Sequence, residues 1–104
     1  MPEDGYDTVY NPGGYTYRRE TQGVVNPEQG WSIRSGEVIH LGGTWEFWEF
    51  DWRGKLYTIS KEDDRVFEDE GRTQIEGERS QVVLKAFRAA LETGAIPEDI
   101  EESA

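Results

Sequence analysis

Residues 44–60 constrain the fold more than any other segment, because bulky apolar side chains alternate on both sides of a turn. Successive side chains of a strand point to opposite faces. One face of the first half therefore carries Trp48, Phe50 and Trp52. Trp45, Phe47, Glu49 and Asp51 lie on the other face. Arg53-Gly54 supplies the turn, so the segment is predicted to be a β-hairpin with one largely apolar face.

Two registers of this hairpin can be compared. A two-residue loop pairs Phe50 with Tyr57 and Trp48 with Ile59, whereas a three-residue loop pairs Asp51 with Lys55. Apolar cross-strand pairs contribute up to about 1 kcal/mol each, and an exposed ion pair contributes less. We therefore expect the two-residue loop, although it requires a positive φ at Arg53.

The rest of the chain predicts short strands around this hairpin and one helix. Strands are expected over residues 15–21, 31–34 and 37–41, separated by turns at 26–30, Ser35-Gly36 and Gly42-Gly43. Residues 61–72 fit either a helix or a strand with a loop. An apolar stripe at helical spacing is formed by Val82, Val83, Ala86, Phe87, Ala90 and Leu91.

The helix ends can also be located. Thr73-Gln74-Ile75-Glu76 fits a capping box, with Ser80 as a second candidate for the first residue. Gly94 is the expected end. The predicted fold is an α+β domain over residues 15–94, with an N-terminal arm (1–14) and an acidic, fraying tail (95–104). Its antiparallel sheet of about five strands carries one C-terminal amphipathic helix, which packs on the face of Trp48, Phe50, Trp52, Tyr57 and Ile59.

Acidic residues outnumber basic ones two to one, since 22 Asp and Glu face 11 Lys and Arg, for a net charge of −11. Such self-repulsion destabilises a compact chain unless salt screens it. The scarcity of Lys and the absence of Cys make the composition resemble that of small uncharacterised haloarchaeal proteins. The resemblance implies a salt-adapted cytoplasmic protein. A protein that mimics the phosphates of DNA is the alternative explanation of the charge.

Several classes of function find no signal in the sequence. Without Cys there is neither a disulfide nor a thiolate metal site, and the apolar runs are too short to span a membrane. Neither acid triplet, 62–64 or 68–70, fits a calcium loop, so we expect only non-specific cation association. We do not expect nucleic acid as a partner. Protein domains that stack on bases do so in positively charged grooves, whereas this chain is strongly negative. We predict no cofactor, no metal and no catalytic residue.

Trp45 and Phe47 lie on the hairpin face opposite the predicted core, so the core does not cover them. These two side chains need a cover, which could be Tyr6 or Tyr10 of the N-terminal arm, a second subunit, or a foreign protein. The sequence thus predicts a non-enzymatic protein-interaction module that self-associates through Trp45, Phe47, Glu49 and Asp51. A carbohydrate-binding or hydrolytic domain is a further alternative. It would require Glu49, Asp51 and His40 to converge in a pocket.

Overall fold

The computed structural model describes residues 6–69 and 71–100. This part of the chain is an α+β fold, as predicted, with one mostly antiparallel sheet and one helix. Its eight strands exceed the five expected from the sequence. They are β1 (Tyr6–Tyr10), β2 (Thr16–Glu20), β3 (Val24–Asn26), β4 (Trp31–His40), β5 (Gly43–Trp52), β6 (Lys55–Ser60), β7 (Val66–Glu68) and β8 (Thr73–Ile75). Helix α1 spans Glu78–Thr93.

Neighbouring strands in the sheet follow one another along the chain, because Gly-rich turns leave no room for crossover connections. The order is β1-β2-β4-β5-β6-β7-β8, and β3 pairs with the start of β4. Arg19 pairs with Gly36 and Val24 pairs with Ile33. The chain therefore advances five residues on one side while β4 advances only three on the other. β2 and β3 are therefore two halves of one bulged edge of β4.

The hairpin register confirms the two-residue loop. Trp48 pairs with Ile59, Phe50 with Tyr57 and Trp52 with Lys55. Arg53 and Gly54 adopt φ values of 57° and 76°, as a type I′ turn requires. The apolar cross-strand pairs thus stabilise the hairpin despite the unfavourable backbone conformation of Arg53.

The turn predicted at Ser35-Gly36 is wrong. β4 runs unbroken from Trp31 to His40, and Gly36 lies opposite Phe47 in β5. A Cβ atom at Gly36 would lie 2.5 Å from the Phe47 ring. Gly36 is therefore required because the Phe47 ring leaves no room for a side chain at this position. It does not form a turn, since β4 continues through Gly36.

The core lies between the sheet and α1, on the predicted face of the hairpin. We call this side the helix face. Its buried residues include Ile33, Phe50, Ile59, Val66, Val83, Ala86, Phe87 and Ala90, with Trp48 and Tyr57 packed against them. Phe50 is the centre of this packing, because its ring lies 5.7 Å from those of Trp52 and Phe87. Leu91 departs from the predicted stripe and is exposed.

Two segments expected outside the domain contribute to it. Residues 6–10 of the predicted arm form strand β1, which pairs with β2. In the predicted tail, Ile96 and Ile100 are buried in the core, and Gln29 receives a hydrogen bond from the Ile96 amide at 2.8 Å. The remaining parts of the arm (1–5) and the tail (101–104) lie outside the described residues.

The helix starts between the two capping candidates, after Thr73 and before Ser80. Residues 73–75 form β8, and α1 begins after Gly77, which makes no side-chain cap. The Ser80 hydroxyl instead donates to the Gly77 carbonyl at 2.8 Å. The predicted end at Gly94 is confirmed, with φ of 80° and a hydrogen bond from its amide to Ala90. Within the described residues, α1 lacks the length and hydropathy needed to cross a bilayer.

Candidate functional site

The face of the sheet opposite the helix face carries the four residues that were predicted from the sequence to form an interaction surface. Phe47 and Glu49 are buried on it, at 2% and 5% exposure. Trp45 is half-buried and Asp51 is exposed. Two of the four predicted contact residues are thus covered by the protein itself, and Trp45 and Asp51 are the two that a partner can reach.

Phe47 is covered by its own sheet rather than by the predicted arm residues. The Tyr17 ring lies 5.7 Å from it and the Trp45 ring 5.0 Å. Tyr6 points to the other face, where the Arg18 guanidinium lies 4.4 Å from its ring centre. Tyr10 is largely exposed. Cover by Tyr6 or Tyr10 was therefore the wrong expectation, and Tyr17 of β2 provides it.

A cavity of about 480 Å³ opens over the face of the sheet opposite the helix face, which we call the cavity face. Aromatic side chains of β2 and β5 form much of its wall. Arg19 and Glu49 lie together on it, and Arg72 joins from the turn before β8. The remaining lining residues include Val9, Asn11, Val38, Leu56 and Thr58. Its volume is within the range of small-molecule sites, about 300–1,000 Å³.

A buried carboxylate lies in the wall of the cavity. The Tyr17 hydroxyl donates a hydrogen bond to Oε2 of Glu49, and the Arg19 guanidinium lies 3.6 Å from Oε1. Arg19 also reaches Asp7 at 3.6 Å. Among the described residues, Oε1 of Glu49 and Nε of Arg19 have no hydrogen-bond partner. The Glu49 charge is therefore compensated by Arg19, but not every polar atom is satisfied.

The buried Tyr17 hydroxyl should make the free energy of unfolding depend on pH in the alkaline range. Burial, and then the bond to Glu49, raise its pKa far above the usual value, although Arg19 and Arg34 act in the opposite direction. Above about pH 10 the unfolded chain loses this proton while the folded chain keeps it, so stability should fall as pH rises. Urea unfolding of Tyr17→Phe should show a shallower fall than the wild type.

Tyr10→Phe is the matched control for this measurement, because Tyr10 is an exposed tyrosine on the neighbouring strand. It should keep the wild-type slope of stability against pH. Equal slopes for Tyr17→Phe and Tyr10→Phe would show that the folded chain holds the Tyr17 proton no more tightly than the unfolded chain does.

Two chain segments that meet at one end of the sheet have no charged side chains of their own. Residues 8–17 and 38–45 contain no Asp, Glu, Lys or Arg, in a chain with 33 such residues. Strand pairing brings the two segments together, since Thr16 pairs with both Tyr10 and Ile39. We call this region the uncharged end. Its exposed apolar side chains are Val9, Tyr10, Tyr15, Ile39 and Leu41.

The residues of the hydrolytic alternative do not converge. Glu49 lines the cavity, whereas Asp51 and His40 lie outside its lining. Asp51 is exposed, and His40 lies near Tyr15 at the uncharged end, with ring centres 6.4 Å apart. The described residues contain no group of three or more His, Asp or Glu arranged to hold a metal ion.

Several surface carboxylates are neutralised by nearby bases. Glu37 pairs with Arg18 at 3.0 Å and Asp64 with Arg88 at 3.0 Å. Lys55 lies 3.0 Å from Glu68. A DNA mimic needs free carboxylates at phosphate-like spacing, so these pairs do not favour that alternative.

Alternation along the strand predicted over residues 15–21 puts Tyr15, Tyr17 and Arg19 on one face, but the sequence does not bring them together with Trp45 or Arg72. The alternation along β2 and β5 is visible in the sequence, whereas the curl that joins them to the turn before β8 is not. No protein-family model matches the chain, and neither a curated protein nor a solved structure shows significant similarity to it.

Proposed function

We propose that the protein is a non-enzymatic, salt-adapted interaction module that self-associates through its uncharged end and strand β1. The observation that carries the proposal is the uncharged end itself. In this strongly acidic chain, the two most exposed large apolar residues among those described, Tyr10 and Leu41 at 78% and 96% exposure, lie in the uncharged end. Apolar surface surrounded by polar residues is typical of protein interfaces.

Strand β1 offers the backbone for this association. It is the end strand of the sheet order, and its outer side pairs with none of the described strands. Its sequence, Tyr-Asp-Thr-Val-Tyr, has neither Pro nor Lys, the residues that usually protect such edges. An edge of this kind can add a strand from another chain.

A second copy fits this edge by symmetry. Two antiparallel β1 strands related by a two-fold axis through Thr8 would place Thr8 opposite Thr8, and Tyr6 opposite Tyr10 of the other copy. Asp7 then lies opposite Val9, so that the single charge of the strand does not face its own copy. The sequence of β1 is thus compatible with pairing to itself without a direct like-charge contact.

The net charge determines when the two copies associate. Two chains of charge −11 repel each other at low salt. Molar salt shortens the Debye length to about 3 Å and removes most of this repulsion. We therefore expect association to strengthen as the KCl concentration rises.

Light scattering on size-exclusion peaks in molar KCl tests this proposal. The wild type should have twice the monomer mass. Thr8→Lys places two lysines opposite each other at the symmetry axis, and Tyr10→Lys charges the uncharged end, so both variants should be monomeric. Leu91→Lys is the matched control, an exposed apolar residue of α1, and should remain a dimer.

Two outcomes would contradict the proposal. A monomeric wild type at all protein and salt concentrations would exclude self-association and leave a foreign partner for the uncharged end. Dimers that persist in Thr8→Lys would show that β1 does not form the contact. Circular dichroism on each variant verifies that the fold is retained.

A further inference from the structure

We propose that the cavity binds a small aromatic carboxylate, with the ring between the aromatic walls and the carboxylate on Arg72. This site goes beyond the association proposed above, because it concerns the cavity face rather than strand pairing. The ligand class follows from the shape, the wall chemistry and the charge of the cavity.

The walls favour a flat ring. Tyr15, Tyr17 and Trp45 line the cavity and each keeps part of its surface exposed. Phe47 also lines the cavity, and its ring contacts those of Tyr17 and Trp45. The Trp45 indole is further fixed by its Nε1–H, which donates to Ser60 Oγ at 3.1 Å. Aromatic groups gain from ring contacts beyond the area that they bury.

The charge of the lining favours an anion. The lining contains two guanidinium groups, those of Arg19 and Arg72, and one carboxylate, that of Glu49. Since Arg19 and Glu49 compensate each other at 3.6 Å, Arg72 supplies the net positive charge. This local sign is opposite to the net charge of −11. A second cavity, lined by Arg53, Arg79 and Glu78, has the same local sign, but its Arg79 is already paired with Glu68.

Arg72 is available for a ligand. It is exposed, and the described residues provide neither an ion pair nor a hydrogen bond to its side chain. Other arginines of the chain are already paired, such as Arg88 with Asp64 and Arg79 with Glu68. A guanidinium can bind a carboxylate through two parallel hydrogen bonds, which adds geometric specificity to the attraction.

Calorimetric titration with indole-3-acetate and its uncharged analogue indole-3-acetamide tests the site. The two probes share a ring and differ in charge. The wild type should bind the acid at least about 10-fold more tightly than the amide, as expected for one charge-assisted contact. Arg72→Gln should bring the two affinities close together. Arg88→Gln, which changes a paired arginine on α1, should keep the wild-type preference.

Three results would overturn this inference. These are no binding of either probe at millimolar concentration, equal binding of acid and amide by the wild type, and an acid preference that survives Arg72→Gln. All titrations use one salt concentration at which circular dichroism shows the native fold. Val9, Tyr15 and Trp45 of the lining also belong to β1 or to the uncharged end, so the titrations are run at a protein concentration where light scattering finds a single assembly state. At a fixed assembly state, the comparison of acid with amide reports only on the charge of Arg72. Failure of the ligand site would therefore leave the proposed self-association intact.

Discussion

Phe50→Ala is expected to lower the free energy of unfolding by about 3–5 kcal/mol, the usual range for phenylalanine in a well-packed core. Phe50 is completely buried and contacts the rings of Trp52, Tyr57 and Phe87. Its removal leaves a cavity between the hairpin and α1, and these rings cannot collapse into it because the hairpin register fixes two of them. Urea unfolding at constant molar KCl measures the change.

The control for Phe50→Ala is Leu91→Ala. Leu91 is an exposed residue of α1, and truncating it should change stability by less than about 0.5 kcal/mol. A loss below about 1 kcal/mol for Phe50→Ala would contradict the assignment of the core to the helix face. The free energies of the two variants must be compared at the same salt concentration, because salt itself stabilises an acidic chain.

Arg19→Met should produce the other large effect. The substitution keeps much of the side-chain length but removes the guanidinium beside Glu49, which leaves a buried carboxylate uncompensated. Removing one partner of a buried pair costs about 3–5 kcal/mol. We expect a loss near the lower limit, because the Arg19 side chain is itself 31% exposed. Urea unfolding again provides the measurement.

A double variant separates the charge effect from the packing effect. Arg19→Met combined with Glu49→Gln removes both charges and should recover part of the stability lost in Arg19→Met alone. In the double variant, the Tyr17 hydroxyl can still donate to the amide oxygen of the glutamine introduced at position 49. Strict additivity of the two single changes would show that Arg19 and Glu49 do not interact across their 3.6 Å separation.

The sequence predicted the hairpin and the helix face well, because both depend on local periodicity. Alternation from Trp45 to Trp52, with turn residues at 53 and 54, determined which side chains share a face. It also determined the register, because only one loop length matched the apolar residues across the strands. The helical spacing from Val82 to Ala90 determined the face of α1 that packs on the sheet.

Other features depend on contacts between distant segments, and the sequence alone did not predict them. Gly36 reads as a turn residue until Phe47 is known to lie opposite it. Ile96 and Ile100 follow Gly94 in an acidic segment, so the sequence does not indicate their burial. Ile96 is held by the 26–30 turn, where Gln29 bonds to its backbone. The cavity requires the sheet to curl, so that Arg72 approaches Tyr17 and Trp45.

The most direct test of self-association through β1 is amide hydrogen exchange at two protein concentrations in molar KCl. In a dimer joined through this strand, the outward-facing amides of residues 6–10 should be protected at high concentration and should exchange faster on dilution. Amides of β5, in the centre of the sheet, should show no such dependence. Exchange of the β1 amides that is independent of concentration, under conditions where light scattering finds a dimer, would contradict the proposed contact.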